Sequence, residues 1–143
     1  MSGCGRQTRG RGAALVEFAL AWPLALLVVL GSVELAVWGV EAYAARAAAL
    51  AGARAGSVAG VLPETAVAVA RRALNPSLVG ASAGAWCPGQ PPPAPAVWIC
   101  AKDLGSAIEV VVGGDAPAPV PLTGGHGLPL GADIVLQKEV FTS

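Results

Sequence analysis

The chain carries little charge for its size. Charged residues make up 13% of its 143 residues, and nine basic residues balance nine acidic ones, so the formal net charge is zero. A neutral chain has no bulk electrostatic attraction to nucleic acid, and nucleic acid is not expected among its partners. The length allows one compact domain plus an anchor, and the mean hydropathy of +0.63 is high for a freely soluble protein.

Residue types that carry catalysis or hold metals are also scarce. The single histidine, His126, lies among glycines, and no nucleophile, base and orienting acid can be assembled around it. Asp103, Asp115 and Asp133 are too scattered to suggest a calcium site, and no glycine-rich loop joins a strand to a helix as phosphate binding requires. The sequence therefore predicts no enzyme activity, no cofactor, no metal and no small-molecule substrate.

One long apolar run follows a short basic leader. Between residues 13 and 33 the only ionisable side chain is Glu17, and the run is long enough to cross a bilayer. An ionisable group near the bilayer centre costs about 2.5–3.5 kcal/mol, so Glu17 needs a partner. Arg6, Arg9 and Arg11 precede the run without an acidic residue among them, which favours a cytoplasmic N-terminus and places everything after about residue 40 outside.

The residues around Glu17 resemble a known processing site. Gly12 is followed four residues later by valine and then by Glu17-Phe18, at the entrance of the apolar run. This arrangement is similar to the prepilin-peptidase site of type IVb pilins. If the chain is cut after Gly12, the new α-amine of Ala13 lies one helical turn before Glu17 on the same face, where it could pair with the carboxylate in its own subunit or in a neighbour.

A wider segment resembles one family in particular. The run Arg11 to Leu20, a proline soon afterwards at Pro23, and an alanine-rich stretch over residues 44–56 are similar to the TadE-like minor pseudopilins of the Tad (tight adherence, type IVb/Flp) pilus system. The resemblance covers roughly residues 9 to 60. It implies a structural, membrane-anchored protein that takes part in pilus assembly, with the prepilin peptidase, other pseudopilins and the assembly platform as partners.

Two alternatives to pilin-type processing stay open on the residues alone. The helix could be an uncleaved single-pass anchor, or a secretory signal cut after the small-residue triplet at 42–44. The apolar run is longer than a usual signal core, and a secretory signal has no use for Glu17. The alternative function is a bitopic envelope protein or a secreted, non-enzymatic binding module with no role in a pilus.

The expected organisation follows from these features. We expect a cleaved leader (1–12), a transmembrane helix (13–40), an extracytoplasmic continuation of that helix (41–62) and a small domain (63–143). The protein would then be a single-pass protein of the cytoplasmic (inner) membrane with its C-terminal domain outside, and its incorporation into the pilus itself stays open. Pro23 predicts a kink that serves as a hinge or is only a static bend.

The helix should have two distinct surfaces. Trp38 and Tyr43 mark the outer membrane interface, where Glu34 should extend its carboxylate to water. Further along, alanines and glycines recur at four-residue spacing, so another element could approach closely. Codon bias is the alternative explanation for this composition. The expected packing glycines are Gly52, Gly56 and Gly60, the last at the helix end.

The two outer cysteines predict a disulfide. Cys4 lies in the leader, on the reducing side, whereas Cys87 and Cys100 would face an oxidising compartment and flank the proline-rich loop 88–95. A bond between them would stabilise the fold by roughly 3 kcal/mol in the chain-entropy model. Two free buried thiols are the alternative, and the spacing does not suit zinc.

The remaining residues predict an α+β domain. A short second helix should begin at Pro63, end at Asn75-Pro76 and bury a face made by Ala66, Val67, Ala70 and Leu74. From residue 97 the pattern alternates, which predicts a hairpin turning at 103–106 and a last strand near 133–141. We expect a pilin-like arrangement, in which a three-stranded antiparallel sheet packs on the small-residue face of the long helix.

Overall fold

A computed structural model of the chain describes residues 9–119 and 126–139. The leader residues 1–8, including Cys4 and Arg6, and the end of the expected last strand at 140–141 lie outside the described residues. The elements in chain order are α1 (Arg9–Gly56), α2 (Pro63–Leu74), a short 3-10 helix (Asn75–Ser77), β1 (Ala83–Ala85), β2 (Val97–Asp103), β3 (Ala107–Ala116) and β4 (Leu128–Gln137).

The sheet differs from the expected one. It has four strands in the order β1-β2-β3-β4, and it is mixed, because β1 pairs with β2 in parallel while the other neighbours are antiparallel. The expectation of three antiparallel strands was therefore wrong by one strand. β1 is Ala-Gly-Ala, which has no β-branched or aromatic residue and so gave no strand signal in the sequence.

The long loop between β1 and β2 explains why so weak a strand forms. A parallel neighbour requires a crossover of about a dozen residues, and the chain between residues 85 and 97 supplies it. A Cys87–Cys100 disulfide joins the start of this crossover to the middle of β2, as the sequence predicted, with the Cα atoms 4.8 Å apart. Pro95 packs against Gly84, where a side chain would lie 2.5 Å from the proline Cγ. The disulfide and Pro95 together hold β1 against β2.

The hairpin between β2 and β3 has the predicted turn. β2 ends at Asp103 and β3 begins at Ala107. The Asp103 carboxylate accepts the Gly105 N–H at 2.8 Å, and Gly105 has a φ of 82°, a conformation that glycine adopts without strain. A hydrogen bond from the Lys138 ammonium, together with the one from Gly105, lowers the pKa of Asp103. The turn is thereby tied to the chain just after β4.

β3 and β4 extend further than expected into the glycine- and proline-rich segment. The last strand was expected near residues 133–141, but β4 begins at Leu128, where it pairs with Ala116, and Gly113 pairs with Gly131. Backbone hydrogen bonds between β3 and β4 stabilise both strands here, although glycine has a weak strand propensity. At Gly113 the missing side chain leaves room for the Trp98 ring, which lies across it.

α1 ends earlier than its composition suggested. The helix stops at Gly56, and the Ser57 carbonyl accepts the N–H of Glu139, at the far end of the sheet, at 3.0 Å. If the helix continued, the Ser57 carbonyl would have to accept the N–H of Val61 instead. Gly60, expected among the packing glycines, instead lies exposed in the turn with a φ of 80°.

The core lies between the two helices and one face of the sheet. The alanines of α1 at positions 45, 48, 49 and 53 are fully buried, as are Ile99, Ile108 and Val110. α2 has the bounds the sequence predicted, and it buries Ala66, Ala70 and Leu74. The helices form one layer over one face of the sheet, because the buried residues of β2 and β3 alternate with less buried ones.

Two glycines set the distance between α1 and its neighbours. A Cβ on Gly52 would lie 2.8 Å from the Ala66 carbonyl oxygen and 2.9 Å from the Ala70 Cβ. A Cβ on Gly56 would overlap the Ile108 side chain and lie 3.0 Å from the Ala66 Cβ. α2 and β3 therefore approach the backbone of α1 at these positions, and a side chain would push them apart.

We predict that Gly52→Ala destabilises the protein by about 1–3 kcal/mol, because the added methyl group overlaps the backbone of α2. Gly39→Ala is the matched control, since Gly39 lies on the same helix with nothing within 4 Å of its Cβ position. It should be neutral or stabilising by up to about 1 kcal/mol. Thermal unfolding of both full-length variants in detergent measures the difference, and equal melting temperatures would contradict the packing.

Candidate membrane anchor and assembly site

No other element of the described chain covers the apolar surface of the first half of α1. Leu15, Phe18, Leu20 and the other large side chains up to Val33 are between 38% and 72% exposed. In the part of the chain that the structure describes, this is the one helix long and apolar enough to cross a membrane. The domain leaves this half free, so its apolar surface faces the surroundings on every side. A lipid environment would cover that surface.

The expected processing residues lie in the first turns of this exposed half. Gly12 has nothing within 4 Å of its Cβ position among the described residues. Glu17 is exposed, and among the described side chains it has no ion-pair partner. Phe18 stacks on Trp22 with ring centroids 6.0 Å apart. The helix runs through Pro23 without interruption.

α1 enters the domain earlier than the expected end of the membrane span. Trp38 donates its indole N–H to the Pro129 carbonyl at 3.1 Å, and Glu41 accepts the Val79 N–H at 2.9 Å. Glu34, one turn before Trp38, is only 5% exposed. Tyr43, by contrast, is 77% exposed. One face of the helix is therefore covered by protein from residue 34, while the opposite face stays open.

The burial of Glu34 differs from the expectation that its carboxylate reaches water. Its Oε1 is buried and has no hydrogen-bond partner among the described residues, whereas the carboxylate of Glu41, which is also buried, accepts the Val79 N–H. The two residues are seven positions apart and so lie on the same face of the helix. Sequence reasoning placed Glu34 at a solvent interface because nothing local shows that the domain folds back over it. A buried carboxylate oxygen without a hydrogen-bond partner lowers stability. Trp38 and Glu41, on the same part of α1, both form hydrogen bonds to the domain.

The remaining polar residues do not form a second site. No group of three or more metal-ligating side chains is found among residues 9–119 and 126–139. Asp103 lies at the β2–β3 turn, Asp115 near the end of β3 and Asp133 in β4, so the structure keeps them apart. His126 lies at the start of the second described range. The features that stand out are the free half of α1 and its junction with the domain.

The fold and this junction define a small α+β domain carried on one long apolar helix. Residues 12–54 match the family model described as TadE-like protein, which confirms the resemblance over the helix and supports a TadE-like protein of the Tad pilus system. No curated protein and no solved structure matches the chain. The match begins at the glycine of the expected processing site, ends just before α1 does, and includes the packing glycine Gly52. The family is structural and pilus-associated.

The two buried glutamates give opposite predictions. Glu41→Leu should destabilise the domain by about 1–3 kcal/mol, because the Val79 N–H loses its acceptor. Glu34→Leu at the matched position one heptad earlier should be neutral or stabilising, because it removes a buried oxygen that has no partner. Limited proteolysis of the full chain in detergent compares the two variants. Greater sensitivity of the Glu34 variant than of the Glu41 variant would contradict this assignment.

Proposed function

We propose that the protein is a minor pseudopilin that takes part in assembling a Tad-type adhesive pilus. The observation that carries the proposal is the family match that begins at Gly12 and runs along α1. The role is structural: the helix holds the exported domain at the membrane and supplies the surface by which it joins the assembly. Its partners are the prepilin peptidase, other pseudopilins and the platform of the pilus machine.

The extent of the membrane span can be refined from burial. Protein covers one face of α1 from Glu34 onward, and a helix surrounded by lipid would not be covered by its own domain. We therefore place the lipid-spanning part at residues 13–33 rather than 13–40. At 1.5 Å per residue this segment is about 30 Å long, the thickness of the hydrocarbon core of a bilayer. The domain then rests directly on the outer surface of the cytoplasmic membrane, with the arginine-bearing leader inside.

Glu17 lies early in this span, where a carboxylate is costly unless it is paired. Cleavage after Gly12 creates an α-amine one turn away on the same helix face. The amine of the same subunit or of a neighbour supplies the missing cation. A charge pair formed between subunits would favour assembly over a free monomer in lipid, which is the reason to retain the glutamate.

We predict that the mature chain begins at Ala13. Gly12→Leu should leave the precursor uncut, because the peptidase has to approach the scissile backbone closely. Gly31→Leu is the control, since both glycines have nothing within 4 Å of their Cβ positions among the described residues. Intact mass of the protein from native membranes reads the result. A native start at Met1 or Ala45 would refute the pseudopilin proposal and leave an anchor or a secreted module.

A second prediction separates insertion from assembly at Glu17. Glu17→Ala should insert and be processed at least as well as the natural chain, because an intramembrane carboxylate is removed, yet it should lose piliation. Glu64→Ala removes an exposed acidic residue of α2 and should leave piliation unchanged. Filament counts by electron microscopy, with processing checked by mass, give the measurement. Normal piliation by processed Glu17→Ala would disprove the amine pairing.

A further inference from the structure

β4 is an edge strand whose outer side carries backbone groups without partners. Pro129 has no N–H, and its carbonyl points away from β3 to accept the Trp38 indole. Lys138 donates its N–H towards β3, to Ser106, whereas Glu139 donates the other way, to Ser57. Backbone groups of alternate residues in an antiparallel strand point to the same side. The odd-numbered residues of β4 therefore direct their N–H and C=O groups outward.

Among the described residues, α1 makes hydrogen bonds to this edge only near the two ends of β4. The Trp38 indole N–H donates to the Pro129 carbonyl, and the Ser57 carbonyl accepts the Glu139 N–H. Between these points, the outward groups of Gly131, Asp133, Val135 and Gln137 make no hydrogen bond within the described chain. An open edge of this length is normally covered, charged or paired with another strand, since it is a template for strand addition.

There is room beside the open edge for another chain. A shallow depression passes along the β4 edge and continues over neighbouring strands of the sheet. Its lining comes from α1 (Tyr43, Arg46, Ala47 and Leu50), from β4 (Leu130 to Ile134), and from Trp98 of β2 and residues 111–114 of β3. Arg46 and Asp133 are exposed and form no ion pair with a described residue. The wall on the helix side is apolar apart from Arg46. An inserted strand would place alternate side chains against it.

A second copy of the chain fits this edge poorly. The contacts Trp38–Pro129 and Ser57–Glu139 show that α1 and β4 run in the same direction. Antiparallel pairing of two β4 strands would therefore make the two anchors antiparallel, which copies inserted with the same orientation cannot do. Only parallel pairing would remain, and parallel ladders are slightly less stable. A strand from a different protein has no such restriction.

We propose that the open edge of β4, from Gly131 to Gln137, binds an extended strand of a different exported protein, which adds antiparallel to β4. The bound strand directs apolar side chains and one carboxylate towards α1, where the carboxylate pairs with Arg46. On the other face of the sheet a basic side chain lies beside Asp133. Backbone hydrogen bonds hold the strand, and the two charges select it. This names the docking site for a partner of the proposed assembly, but the edge itself exists whether or not that assembly is a pilus.

Hydrogen exchange of the β4 amides provides the first test. The full chain is compared as purified alone in detergent and as isolated from native membranes with its bound partners. The amides of Gly131, Asp133, Val135 and Gln137 should exchange at least about tenfold more slowly in the native complex. The intervening even-numbered amides, already bonded to β3, are an internal control and should not change. Equal exchange of the odd-numbered amides in both samples would overturn the proposal.

Crosslinking then identifies the occupant. A photoreactive benzophenone side chain at Gln137 of the full chain should capture one segment of one exported protein in native membranes, whereas the same group at exposed Ala73 of α2 should not capture it. Val135→Pro removes one outward N–H and should lower the yield roughly five- to tenfold, whereas Val135→Thr retains that N–H and should not. Capture of this chain's own peptides would show a second copy and refute the proposal.

A pair of charge-reversal variants tests the proposed contact with Arg46. Arg46→Glu should lower the crosslinking yield, and Arg72→Glu, on the exposed side of α2, should leave it unchanged. An intact Cys87–Cys100 bond confirms folding of each variant. Equal yields would refute the acidic partner. Cleavage at Gly12 and piliation are read separately, so a normal exchange result in an unprocessed chain would refute the pseudopilin role and leave the strand site standing.

Discussion

The close approach of backbones at Gly52 and Gly56 is the constraint on which the domain depends. α2 lies against one glycine and Ile108 of β3 lies against the other, so the sheet can reach α1 only because these positions lack side chains. The first half of the same helix presents leucines, valines and a phenylalanine, and none of the described elements covers it. One continuous helix thus meets two environments, and a change from large to small side chains along its length separates them.

Features set by local pattern could be predicted from the sequence. The bounds of α2 follow from Pro63 and Asn75, and the buried residues of β2 and β3 follow from their alternation. The N-terminal match to a pilus family was also predictable, because it depends on adjacent residues around Gly12. The disulfide was predictable from compartment and spacing, since two cysteines flank a segment that cannot form its own core.

Features set by distant partners could not be predicted. β1 forms because the disulfide-bonded crossover that follows it places β2 beside it. No residue within β1 favours a strand. α1 ends at Gly56 because the Ser57 carbonyl is used by Glu139, which is far away in the chain. Glu34 looked like an interfacial residue because its burial depends on a domain that folds back over it. The open edge of β4 is likewise invisible in the sequence, since it requires the direction of the backbone groups.

The shared direction of α1 and β4 has a mechanical consequence. The helix is attached near one end of the strand through Trp38 and just past the other end through Ser57. The hydrogen bonds between β3 and β4 are perpendicular to the strands. A force that pulls along the anchor therefore acts across all of these bonds at once, in shear, instead of opening them one after another. The β3–β4 ladder is therefore oriented to resist a load applied along α1.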